Sequence, residues 1–203
     1  MRDSSRTVSR EVWKVYREID LKIARLRRAA SLSCPEGCGT CCESRQVEAT
    51  IPEVLPLAEA IYARREEQAV WLAVEDKGAR GELSCVLYRE DHEVSGNGRC
   101  TYYRFRPLLC RLFGFAARRN RRGGLEFCPC RHMKERSPEA VRRAGIGLLS
   151  GLDIPVYQES FMRIASLDPY MGYRRYPINL AIQSALGHLY WHSPGRWGRA
   201  RAA

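Results

Sequence analysis

Nine cysteines in a chain of 203 residues constrain this sequence more than any other feature. Because nine is odd, the thiols cannot all pair within the chain as disulfides. With 45% hydrophobic residues the chain can build a core without disulfide staples. The N-terminus does not resemble a secretory signal, and no apolar run approaches the roughly 20 residues needed to cross a bilayer. We therefore expect a cytoplasmic protein with no membrane partner, whose clustered thiols bind metal.

The densest cysteine segment is Cys34-x3-Cys38-x2-Cys41-Cys42, which places four thiols within nine residues. Gly37 and Gly39 predict a tight loop that can wrap around a metal. Soft thiolates select zinc, copper(I) or iron–sulphur clusters. The adjacent Cys41 and Cys42 side chains diverge, so a single tetrahedral ion seldom takes both. We expect this segment to share ligands with later cysteines, in two centres or in one centre plus a redox-active thiol.

The later cysteines are joined by aromatic and Arg-Pro residues. Arg106 and Arg111 are expected to offset the negative charge of thiolate-bound metal and to donate hydrogen bonds to sulphur or a bound anion. Tyr103 is expected to shield the centre from water, so these three residues are the predicted cofactor-binding set. The predicted metal ligands are Cys34, Cys38, Cys41, Cys42, Cys85, Cys100, Cys110, Cys128 and Cys130. Histidine ligands at His132, or at His188 and His192, are less favoured alternatives.

These motifs resemble the YkgJ-type cysteine-cluster proteins, also called the CxxCxxCC family, which are described as zinc- or iron-chelating domains. The family pattern is a cysteine-rich run ending in Cys-Cys, a helix, a single cysteine, and then Cys-x2-Tyr-x2-Arg-Pro-x2-Cys-Arg. The matching positions are Cys34, Cys38, Cys41, Cys42, Glu53 in the helix, Cys85, Cys100, Tyr103, Arg106, Pro107, Cys110 and Arg111. The resemblance covers about residues 32–130, with Cys85-Val-Leu standing where the family usually has Cys-Pro.

The resemblance implies an iron–sulphur or zinc site but leaves its task open. Family members are often labelled iron–sulphur oxidoreductases, and a flagellin-lysine methylase carries a similar cluster. Three functions are therefore considered: redox or metal handling, a group-transfer enzyme that uses the cluster, and a zinc-stabilised basic module that binds nucleic acid. The formal charge of +11 fits the third, but solvated helix faces account for it equally well. No redox or protein partner and no catalytic residue can be named from the sequence.

Hydrophobic periodicity predicts a mainly α-helical fold, with helices packed around a loop-rich cysteine core and a small β-hairpin. The hairpin is predicted within residues 113–127, turning at residues 122–124. Helices are predicted over about residues 7–30, 50–75 (one long or two short), 137–150, 155–167 and 177–190, with a short helix that opens at Arg106-Pro107 and carries Cys110. The first helix has an apolar stripe formed by Val12, Val15, Ile19, Ile23 and Leu26, and Thr50 with Glu53 three residues later predicts a capping box at the start of the second. We expect an N-terminal helix (residues 1–31), a metal-binding core (32–136), further helices of the same domain (137–193) and a flexible tail (194–203).

Overall fold

The computed structural model describes residues 4–34, 37–44, 46–91 and 97–192, and the predicted flexible tail lies outside them. Helices dominate the described residues, which confirms the predicted fold class. The helices are α1 Ser4–Ala30, α2 Thr40–Glu43, α3 Ile51–Ala63, α4 Glu67–Ala79, α5 Leu108–Leu112, α6 Arg131–Arg136, α7 Pro138–Leu149, α8 Tyr157–Ala165 and α9 Ile178–His192. A 3₁₀ turn at Tyr103–Phe105 precedes α5. None of these helices combines the length and apolarity that crossing a membrane requires.

The strands among the described residues are short and form two-stranded antiparallel sheets. They are β1 Glu48–Ala49 with β6 Tyr176–Pro177, β2 Tyr88–Glu90 with β3 Gly98–Cys100, and β4 Ala116–Arg119 with β5 Leu125–Cys128. The pair β4–β5 is the predicted hairpin, and Gly123 takes a φ of 81° in its turn. That angle lies in the left-handed region, which glycine enters without steric cost.

Helix α1 buries the apolar stripe that its sequence predicts. Val12 and Leu26 are fully buried, and Val15 and Ile19 nearly so. The stripe faces α3 and, towards the C-terminal end, α7. Recurrence at three and four residues puts these side chains on one helix face, so burying them leaves the opposite face of α1 to solvent.

Helix α3 lies at the centre of the fold, between α1 and α9. Thr50 and Glu53 form the predicted capping box: Glu53 N donates to Thr50 Oγ1, and Thr50 N donates to Glu53 Oε1. The predicted helical region over residues 50–75 is two helices, because Arg65 takes a φ of 59° between α3 and α4. Left-handed backbone cannot continue an α-helix, so the chain turns there.

Candidate metal centre

Five cysteines from four chain segments line one small cavity of about 20 Å³. Their five thiols, called the inner thiols below, belong to Cys41, Cys42, Cys85, Cys100 and Cys110. Such a volume holds about one water-sized particle. Apart from Arg106, the other described residues of the cavity wall bring apolar surface: Val47, Leu57, Leu87, Tyr102, Pro107, Ile178 and Ile182. The cavity is therefore a small, thiol-rich pocket with one cationic side chain.

Backbone hydrogen bonds hold the first two cysteine segments together. Helix α2 carries Cys41 and Cys42, and Cys42 N donates to the Gly39 carbonyl at 2.7 Å. Cys85 N donates to the Cys42 carbonyl at 2.9 Å, which fixes the isolated cysteine beside α2. Because these hydrogen bonds join main-chain groups, they fix the backbone positions of Cys42 and Cys85 whatever rotamers the side chains adopt.

Helix α9 supports the Cys85 segment through one side chain. Asn179 Oδ1 accepts from Val86 N at 2.8 Å, and Asn179 Nδ2 donates to the Ser84 carbonyl at 3.0 Å. The amide thus binds the backbone on both sides of Cys85. Asn179 supports the candidate site at a position that periodicity does not reveal, because a polar residue in the first turn of a helix is an ordinary observation.

Cys100 and Cys110 are placed by the segment that links them. Cys100 ends β3, where it pairs with Tyr88 of β2. Cys110 is buried in α5, which begins directly after Pro107, as the sequence predicts. The buried Leu108 and Leu112 fix this short helix in the core, so the Cys110 thiol faces the cavity from a rigid element.

The ring of Tyr88 packs directly against two glycines. A Cβ on Gly39 or on Gly98 would overlap this ring. The Tyr88 hydroxyl donates to Glu43 Oε1 at 2.8 Å. Tyr88 therefore joins the α2 loop to the β2–β3 hairpin, and only glycine leaves room for it.

The thiols and Arg106 perturb one another's proton affinities. A hydrogen bond from the Cys42 thiol lowers the pKa of Cys41 to about 7, and the Arg106 charge and the α2 backbone amides add to this effect. The Cys42 thiol, with its single proton, lies within hydrogen-bond reach of Cys100 as well, and this proximity lowers the pKa of Cys100. Burial raises the pKa of Cys85 to about 12 and that of Cys110 well above its usual range. Metal binding must therefore displace protons from the buried thiols.

A second group, the outer thiols, comprises Cys34, Cys38 and Cys130. Cys34 is exposed as a residue, yet desolvation of its thiol and the neighbouring Cys38, Cys130 and Cys41 sulphurs raise its pKa to about 12. Cys38 is held by an isolated β-bridge to Asn97. The structure thus divides the predicted first segment, with Cys41 and Cys42 on the cavity and Cys34 and Cys38 outside it.

Cys128 lies apart from the other thiols. It lines a groove of about 480 Å³ together with Arg118, Glu126 and Lys134, and no other described cysteine lines that groove. Its Sγ approaches the Glu126 carbonyl at 3.5 Å, and burial raises its pKa. Of the predicted pair that follows the hairpin, only Cys130 is near other thiols, so ligation by Cys128 stays a prediction without a neighbouring thiol to support it.

The predicted cofactor-binding residues have three different placements. Arg106 lines the cavity, donates from Nε to the Tyr103 carbonyl at 2.9 Å, and lies 3.6 Å from the centre of the Tyr103 ring. Tyr103 is 57% exposed and covers Arg106 from outside instead of lining the cavity. Arg111 is only 2% exposed and faces Asp20 on α1.

The histidine alternatives gain no support from the geometry. His188 Nε2 is 2.8 Å from Ser5 Oγ, and the His188 and His192 rings stack on each other at 4.2 Å. Neither of these histidines nor His132 is among the residues that line the thiol cavity.

The donor set fits a soft metal ion. Thiols line the cavity and carboxylates do not, which is the ligand chemistry of zinc or iron–sulphur centres. In the described part of the chain, no three cysteine, histidine or acidic side chains already have ligand geometry. A bound ion would therefore have to draw the inner thiols closer, to metal–sulphur distances of about 2.3 Å for zinc.

Comparison with known families identifies the part of the chain that contains these thiols. The model of the CxxCxxCC family, described as "Putative zinc- or iron-chelating domain", matches residues 33–142, more than half of the chain. No curated protein and no solved structure matches. The match contains all five inner thiols and all three outer ones, and its description agrees with the predicted metal, zinc or iron. The chain is thus a metal-binding protein.

Proposed function

This chain belongs to the CxxCxxCC family of zinc- or iron-chelating domains, and we propose that the ligands of its metal centre come from the inner thiols. The observation that carries this proposal is their convergence on one small cavity from segments up to 69 positions apart, Cys41 to Cys110. Buried cysteines that serve only as apolar packing have no reason to meet at one point. The outer thiols are proposed as a separate group that supplies a second centre or a redox-active thiol.

We propose a closed centre that serves redox or metal handling instead of binding a substrate. Catalytic metal sites keep an open coordination position, whereas closed thiolate sites suit structural zinc or electron-transferring iron–sulphur clusters. The wall of this cavity is apolar apart from the thiols and Arg106. It contains no carboxylate or histidine to act as acid or base, which weighs against group transfer at this centre.

Arg106 is proposed to balance the charge of the centre. Zinc takes four thiolates, so Zn²⁺ bound by four of the five inner thiols would carry a net charge of about −2, which is costly in an apolar cavity without a nearby cation. Arg106 lines that cavity, and its stacking on Tyr103 leaves the guanidinium little freedom to move away. The proposed role of Arg106 is therefore electrostatic.

The proposed thiolate ligands favour a cytoplasmic location, because a reducing compartment keeps thiols from forming disulfides.

The C-terminal helices are proposed to belong to the same domain as the cysteine segments. Ile178 and Ile182 of α9 line the thiol cavity, and Asn179 holds the backbone around Cys85. Residues beyond the family match thus contribute to the wall of the centre.

The decisive experiment is metal analysis of anaerobically purified protein, combined with an absorption spectrum. Broad absorbance near about 400 nm together with iron and acid-labile sulphide would establish an iron–sulphur centre. A colourless protein containing stoichiometric zinc would establish a zinc–thiolate centre. Protein that contains neither metal and takes up neither on reconstitution would refute the proposal.

Cysteine variants test the assignment of ligands. Cys85→Ser and Cys110→Ser should each lose most of the bound metal, because each removes an inner thiol. Cys128→Ser is the matched control, since Cys128 lies in another groove, and it should keep full occupancy. Full occupancy in both inner variants, or equal loss in the control, would contradict the inner-thiol assignment.

A further inference from the structure

Four arginines form a straight line along the solvent-facing side of α1. Arg6, Arg10, Arg17 and Arg28 are all exposed, and they are called the α1 arginine stripe below. Their spacings of 4, 7 and 11 residues are close to one, two and three helical turns. The stripe therefore runs along the helix for about 33 Å, at 1.5 Å per residue.

The acids of α1 do not neutralise this stripe. Glu11 pairs with Lys14, Glu18 pairs with Arg163 of α8, and Asp20 pairs with Arg111 of α5. None of the stripe arginines has an ion-pair partner among the described residues. Arg6 and Arg10 are also neighbours at i, i+4, an arrangement in which like charges destabilise a helix. The fold thus tolerates a repulsive row of cations.

The length and composition of the stripe decide which polyanion fits it. The apolar face of α1 is buried against α3, so the helix has no face to insert into a membrane. Single-stranded nucleic acid is normally held by stacking on aromatic side chains, and the stripe has none. A duplex presents closely spaced phosphates over the full length of the stripe, and the planar guanidinium binds phosphate through paired hydrogen bonds.

We propose that the α1 arginine stripe binds the phosphate backbone of double-stranded nucleic acid. Binding is independent of base sequence, because the stripe contacts phosphates and not base edges. This surface lies on α1, outside the residues matched by the family model and away from the thiol cavity. The proposal therefore stands or fails separately from the metal centre.

The test is fluorescence anisotropy with the full-length, metal-analysed protein and a labelled duplex of about 20 base pairs, over roughly 50 to 200 mM salt. The stripe variant replaces Arg6, Arg10, Arg17 and Arg28 with glutamine. The control variant replaces four arginines that are already ion-paired, and so has the same formal charge: Arg80, Arg118, Arg131 and Arg142. Circular dichroism checks that both variants fold.

The wild type should bind the duplex, with an affinity that falls steeply as salt rises. The stripe variant should lose at least about tenfold in affinity. The slope of log K against log salt should also become less negative by about 3, because about four phosphate contacts are lost. The control should change by less than about threefold. The proposal is overturned if the wild type fails to bind, if both variants lose affinity equally, or if single strands or phosphatidylserine vesicles bind better than the duplex.

Discussion

The Nη1 atom of Arg111 donates to both carboxylate oxygens of Asp20, at 2.7 Å and 2.6 Å. Nη2 donates to the Arg104 carbonyl at 2.8 Å, and the guanidinium lies 4.5 Å from the centre of the Tyr16 ring. Because Arg111 directly follows Cys110, these contacts tie an inner thiol to α1. Asp20 precedes the residues matched by the family model, so this part of the support comes from outside the match.

Asp20→Asn should therefore destabilise the protein by about 1–3 kcal/mol, since it leaves the buried guanidinium with a weaker acceptor. This loss of stability is smaller than the loss expected on breaking a fully buried ion pair, because the Asp20 side chain is 47% exposed. Urea unfolding measures it. Glu11→Gln, which breaks the exposed pair with Lys14, is the control and should cost less than about 0.5 kcal/mol. Equal losses in the two variants would show that Arg111 does not depend on Asp20.

Gly39→Ala should lower both stability and metal occupancy, because its Cβ overlaps the Tyr88 ring and pushes the α2 loop away from β2–β3. A loss of about 1–3 kcal/mol is expected for such overpacking. Gly145→Ala in α7 is the matched control: its Cβ meets open space, and alanine should stabilise the helix by about 0.5–1 kcal/mol. Adding Tyr88→Leu to Gly39→Ala should restore part of the loss. Unaltered metal content in Gly39→Ala would contradict the argument.

Glu53 should make stability depend on pH near neutrality. Burial raises the pKa of this carboxyl from 4.5 to about 7. The folded state then holds a proton that the unfolded chain releases, so the stabilising contribution is complete below pH 4.5 and is lost as pH rises through 7. Between those values wild type should lose up to about 3 kcal/mol that Glu53→Gln does not lose.

Chemical unfolding at several pH values measures the difference between the two proteins. Glu48→Gln is the matched control, because it makes the same substitution at an exposed position on β1 and leaves the buried carboxyl of Glu53 in place. If wild type and Glu53→Gln gave parallel profiles, the carboxyl of Glu53 would not be protonated in the folded state at neutral pH.

Arg106→Gln should reduce the reactivity of Cys41 in the metal-free protein. The Arg106 charge helps to lower the pKa of Cys41 to about 7, so its removal raises that pKa and leaves less thiolate at neutral pH. Iodoacetamide labelling followed by peptide mass spectrometry measures the rate at this one thiol. The exposed Arg104 supplies the control, as Arg104→Gln leaves the cavity wall unchanged. If Cys41 in Arg106→Gln were labelled as fast as in wild type, the charge of Arg106 would not influence the pKa of Cys41.

Features with a clear local signal were predictable from the sequence. The apolar stripe of α1, the capping box at Thr50 and the glycine turn at Gly123 each follow from a few neighbouring residues, and the structure confirms all three. The hydrophobic period could not decide between one helix and two over residues 50–75. That outcome depends on a left-handed residue, Arg65, whose side chain type gives no hint of it.

Features that depend on contacts between distant segments were not predictable. Helix α2 and strands β1 and β6 have four or fewer residues each, too few to show a period. The separation of the cysteines into inner and outer thiols and an isolated Cys128 depends on how the loops pack, and cysteine spacing cannot give it. Arg111 has the motif expected of a cofactor ligand, yet only the fold shows that α1 supplies its acidic partner.

The contribution of α9 to the cavity wall has a consequence for synthesis of the chain. Cys110, the last inner thiol in sequence, leaves the ribosome long before Ile178 and Ile182 are translated. Until those two isoleucines and Asn179 arrive, the cysteine segments lack part of their cover and one of their backbone anchors. The wall of the centre can therefore be completed only after residue 182 has left the ribosome, and the nascent thiols must stay reduced and unclaimed by other metals until then.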